Sequence, residues 1–113
     1  MKMELRSRAI DKVYKRRDRI EMPDYQREEV WSDIQKRTLI DSILRGWHLP
    51  KFYFRKLDEG SFECVDGQQR LTAIWEFYDN HLQLDPAAAK RFGGATYAAL
   101  HEEFPDGFDD FEI

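Results

Sequence analysis

At 113 residues the chain has room for one small domain with a modest core, and not for two. Hydrophobic residues at 42% and aromatics at 14% exclude disorder; no window has the apolar length of a membrane span, and Met1-Lys2-Met3-Glu4-Leu5-Arg6 does not read as a signal peptide. The formal net charge of −4 is split, with 15 Lys+Arg against 9 Asp+Glu in residues 1–56 (+6) and 3 against 13 in residues 57–113 (−10).

The predicted elements begin with a short helix over 7–16, with Ile10, Val13 and Tyr14 on one side. It carries a basic cluster, Lys12, Lys15, Arg16 and Arg17, extended by Arg19. Such a cluster is either a solvated helix face or an electrostatic footprint for nucleic acid. The acidic second half repels DNA, so any such footprint is one-sided. Residues 19–22 read as a short strand ended by Pro23, which favours extended geometry before it. Residues 23–31 form a polar and aromatic loop containing Tyr25, Gln26, Arg27 and Trp31. Arg27 suits a phosphate or carboxylate and the aromatics suit a base or sugar; equally, the aromatics are core and Arg27 pairs with nearby acids.

Ser32 is a good N-cap for a helix to about residue 45, stopped by Gly46. The aromatic run 51–57 predicts a strand, Asp58-Glu59-Gly60 a hairpin turn, and 61–65 its partner. Cys64, the one cysteine, excludes an internal disulfide, fits a reducing cytoplasm and reads as a buried filler of that strand. After residue 65, Leu71, Ile74, Trp75 and Tyr78 recur with helical spacing. Asp85-Pro86 starts a further short helix, Gly93-Gly94 breaks it, and Thr96 caps another through 103. Phe104-Pro105-Asp106-Gly107 is a turn and 108–113 begins a strand. His48, His81 and His101 stand apart from any metal-ligand spacing, so no zinc site is expected. The sum is an α+β domain with a short mixed sheet packed against helices.

The most informative run is Asp66-Gly67-Gln68-Gln69-Arg70, at the junction of a predicted strand and helix. Helix N-termini carry unpaired N–H groups and a dipole that favours anions. Gly67 allows close approach to the backbone, the glutamines donate and accept, and Arg70 brings a fixed cation. This is a candidate phosphate cradle. The plainer alternative is a turn with Asp66 as N-cap.

Three segments together carry a family resemblance. Pro23-x-Tyr25-Gln26-Arg27-x-x-Val30-Trp31 is followed by Leu39-Ile40-Asp41-Ser42-Ile43-Leu44-Arg45-Gly46-x-x-Leu49-Pro50 and by Val65-Asp66-Gly67-Gln68-Gln69-Arg70-Leu71-Thr72. This order resembles the N-terminal domain of GmrSD-type restriction enzymes, which look like members of the ParB–sulfiredoxin superfold. The resemblance covers about residues 7–113. It implies a module that binds, and in the enzymes hydrolyses, a nucleoside triphosphate with Mg²⁺, in bacterial defence against foreign or modified DNA. Carried over by position, Asp66, Gln68, Gln69 and Arg70 become catalytic candidates, with Asp66 also a Mg²⁺ ligand. Tyr25, Gln26, Arg27, Gly67 and Arg70 become nucleotide-binding. Lys12, Lys15, Arg16 and Arg17 are the candidate DNA contacts. The HNH-type nuclease constellation of the family is missing from this sequence, so a nuclease domain or partner chain is implied. The family domain also continues beyond the point reached by Ile113, which implies a truncated sheet whose open edge pairs with a partner or a second copy. The alternative is a non-catalytic DNA-binding or protein-interaction adaptor with a degenerate nucleotide pocket.

Overall fold

The structure, a computed structural model, describes residues 8–22, 30–57, 60–104 and 107–113. Among these, helix α1 (Ile10–Lys15) leads through a 3₁₀ turn (Arg17–Arg19) into strand β1 (Ile20–Glu21). Helix α2 (Asp33–Leu44), strands β2 (Tyr53–Lys56) and β3 (Phe62–Asp66), and helices α3 (Gln68–Tyr78), α4 (Pro86–Phe92) and α5 (Tyr97–Glu103) follow. The sheet order is β1-β3-β2, with β3 parallel to β1 and antiparallel to β2. An α+β fold with a short mixed sheet is therefore present, as the sequence predicts.

Local chemistry sets most of these boundaries. Ser32 and Gln35 form a reciprocal capping box at the start of α2, and Gly46 follows its end with φ of 76°. Asp85 and Thr96 accept from Ala88 N and Ala99 N to cap α4 and α5. Helix α3 is the spine. Its Ala73, Ile74 and Phe77 pack with Leu39, Ile40 and Ile43 of α2 in one buried cluster that Ile10, Leu100 and Phe108 join. Lys36 and Glu76 tie the same two helices with an ion pair at 2.7 Å. Cys64 is wholly buried in β3.

Three readings change. The segment 108–113 does not enter the sheet. It turns and pairs with the residues before α1, through a bridge between Ala9 and Glu112 and reciprocal bonds between Arg8 and Ile113 at 3.3 and 2.9 Å. That pairing also removes residues 8 and 9 from the predicted first helix. The N-cap of α3 is Gly67, at φ of 104°, and not Asp66, which is the last residue of β3.

A column of rings runs beside the core. Tyr14, Tyr78 and Tyr97 stack with centroids 4.0 and 4.4 Å apart, and His101 continues the column at 5.2 Å. Their hydroxyls donate to carboxylates: Tyr14 to Asp79, and Tyr78 and Tyr97 to Asp109 at 3.3 and 2.7 Å. Burial, ahead of the bonding partners, raises Tyr97 and Tyr78 above the ordinary phenol value, and the Asp79 bond raises Tyr14.

Candidate functional site

Strand β3 ends at Asp66 and α3 begins at Gln68, so one residue, Gly67, makes the whole reversal. Its left-handed φ suits glycine, and the space a Cβ would fill lies 2.5 Å from the Phe52 ring. Glycine here accommodates an aromatic neighbour as well as a turn. Unlike Ser32, Asp85 and Thr96, it offers α3 no side-chain cap.

The next three residues are each committed to a different part of the chain. Gln68 is buried and its Nε2 donates to Cys64 O at 3.2 Å, closing the strand-to-helix corner. Gln69 Oε1 accepts from Trp31 N at 3.0 Å. Arg70 is 9% exposed, and its two terminal nitrogens donate to Pro50 O at 2.6 Å and Lys51 O at 3.2 Å. The same guanidinium lies 4.6 Å from the centre of the Phe52 ring and 3.8 Å from Asp66 Oδ2. Asp66 itself is 56% exposed at its side chain. Thus a solvated carboxylate sits at the helix start, over a buried cation that holds the 50–52 segment in place.

Tyr25, Gln26 and Arg27 lie outside the described residues. The residues flanking that stretch are both anchored on the start of α3. Trp31 is held by Gln69, and the Met22 sulfur lies 3.9 Å from the Thr72 hydroxyl, which donates to Gln68 O at 2.9 Å. Phe52 and the Pro50 and Lys51 carbonyls were not legible as parts of the site. They are placed by packing between segments distant in sequence, and the aromatic run 51–57 signals only a strand.

The basic residues Lys12, Lys15, Arg16 and Arg17 are exposed at the end of α1 and the turn after it. Arg17 is turned back onto Tyr14, 3.8 Å from its ring centre, with a bond to Tyr14 O at 2.9 Å. This cluster is a separate feature from the α3 start. Two surface clefts of about 330 and 350 Å³ lie around α4 and do not include Asp66–Arg70. Among the described residues no group of three or more His, Cys, Asp or Glu side chains is placed to hold a metal. None of their helices is long and apolar enough to cross a membrane.

Compared with known proteins, residues 10–112 match the family described as GmrSD restriction endonuclease, N-terminal domain. No curated protein and no solved structure matches the chain.

Proposed function

The chain belongs to the GmrSD restriction endonuclease N-terminal domain family, a component of restriction systems, and from that premise we propose that the start of α3 binds the phosphates of a nucleoside triphosphate. The observation that carries this reading is an eleven-residue helix whose N-cap residue, Gly67, has no side chain between the helix start and a ligand, with a solvated Asp66 beside it. Backbone N–H groups of the first turn would cradle phosphate oxygens, aided by the helix dipole. Asp66 fits a role as one carboxylate donor to Mg²⁺, an ion that is usually held by few protein ligands plus phosphates and water. When bound, the ion would neutralise charge on the phosphates.

Each remaining residue of the run has a part in this reading. Arg70 supplies a positive charge close beneath the helix start and fixes the Pro50–Phe52 backbone against Gly67. Gln68 fixes the corner. Gln69 holds Trp31, from which the chain leads back towards Arg27, Gln26 and Tyr25; in this proposal those three close the nucleotide site. Hydrolysis, where it occurs, would have Asp66 and Gln69 orienting water and Arg70 stabilising developing charge. A nuclease domain or partner chain supplies the DNA cleavage that restriction requires.

Amide chemical-shift mapping tests the reading. Addition of ATP, GTP, CTP or UTP with Mg²⁺ should move the Gly67 to Leu71 amides and those of Tyr25 to Arg27 more than the rest of the chain. Shifts concentrated elsewhere, or absent for all four nucleotides, would overturn it. DNA contact through Lys12, Lys15 and Arg16 is a second reading, favoured by their shared exposure on one end of α1. It requires an affinity that falls steeply with salt and weakens on Lys15→Ala; salt-insensitive binding would count against it.

A further inference from the structure

Two clefts away from the α3 start share one residue, Arg91. Between α2 and α4, a cleft of about 350 Å³ is bordered by Arg37, Arg45 and Arg91, with Leu84 and Ala88 among its apolar residues. Asp41 accepts from Arg45 Nε at 2.6 Å and from Arg91 Nη1 at 2.9 Å, while Arg37 Nε donates to the neutral Gln83 carbonyl at 2.8 Å. The other acid of this cleft, Asp85, accepts from Ala88 N as the cap of α4. Three guanidinium groups therefore meet two carboxylates, and the cleft keeps a positive balance. Ile34 stands in it 73% exposed.

The cleft on the other side of Arg91 has the opposite character at its α5 end. Phe104 lines it and is 60% exposed, immediately after the exposed Glu102 and Glu103. The Glu103 carboxylate lies beside Gly93 at the end of α4, 3.2 Å from where a Cβ would be. A basic groove with an exposed aliphatic side chain and an acidic tip with an exposed ring are thus neighbours.

We propose that this face is self-complementary and that a second copy of the chain covers it. Glu102 and Glu103 of each copy would meet Arg37 and Arg91 of the other, with Phe104 set against Ile34. A two-fold axis satisfies both halves at once, because each copy presents both patches. The apolar side chains form the centre of such a contact, and the charges around them fix its register.

Sedimentation equilibrium of the full chain, across micromolar concentrations and at low and high salt, tests this. The expected mass is twice 13.6 kDa at low salt, with dissociation promoted by high salt. Phe104→Ser changes a side chain that is mostly in solvent, so the fold should tolerate it, and it should weaken dimerisation about tenfold or more. Arg37→Glu with Arg91→Glu in one chain, and Glu102→Arg with Glu103→Arg in another, should each sediment as monomers. An equimolar mixture of the two should recover the doubled mass. A wild-type chain at 13.6 kDa throughout, or Phe104→Ser dimerising as tightly as wild type, overturns the proposal. So does a mixture that stays monomeric although both variants are folded by circular dichroism.

Discussion

Gly67 meets two demands that no other residue type meets together: a φ of 104° and a Phe52 ring where a Cβ would stand. Gly67→Ala should therefore lower unfolding stability by about 2–4 kcal/mol, combining backbone strain with overpacking. Urea unfolding measures this, and a loss within experimental error would contradict the packing described. Arg70 makes a complementary case. Arg70→Met removes both donors to the Pro50 and Lys51 carbonyls and should cost about 2–3 kcal/mol. Arg70→Lys keeps a charge but lacks the fork, and should fall between wild type and Arg70→Met in the same assay. The residues of this corner were legible in the sequence because Asp-Gly before a helical repeat is a local signal. Their division of labour was not: Gln68, Gln69 and Arg70 bond to Cys64, Trp31 and Pro50, and two of those partners are distant along the chain.

Among the elements, those with a chemical signal at their own ends were predicted to within a few residues. Ser32, Asp85 and Thr96 start α2, α4 and α5 because each side chain accepts from an N–H three residues ahead. Ser32→Ala should cost about 1 kcal/mol, less than Gly67→Ala in the same urea assay. Strand pairing is different in kind. Phe108, Phe111 and Ile113 make 108–113 partly apolar, and nothing in the segment says that it turns and pairs at Ala9 rather than entering the sheet. The first helix is shorter than predicted for the same reason, since its leading residues are taken up by that pairing. The tyrosine column was also hidden, because Tyr14, Tyr78 and Tyr97 come from three helices that meet only in the folded chain.

At the scale of the molecule, that column makes stability depend on alkaline pH. Tyr78 and Tyr97 are raised chiefly by burial and Tyr14 by its bond to Asp79, all from an ordinary value of 10.0. Their contribution is fully present below that unfolded-state value and is lost as pH rises through it towards the folded values. The urea midpoint should accordingly fall between about pH 9 and pH 11, and fall less in Tyr78→Phe. A midpoint flat across that range would contradict the assignment. The whole fold also brings the start of α3, the 50–52 segment and Trp31 to one place, and this convergence underlies the nucleotide reading. Calorimetric titration of the chain and of Asp66→Asn with ATP, GTP, CTP and UTP in the presence of Mg²⁺ tests that reading most directly. The account predicts saturable binding of at least one triphosphate, weakened about tenfold in Asp66→Asn while its unfolding curve stays that of wild type. A folded wild-type chain that takes up none of the four, or an Asp66→Asn variant that binds as wild type does, would contradict it.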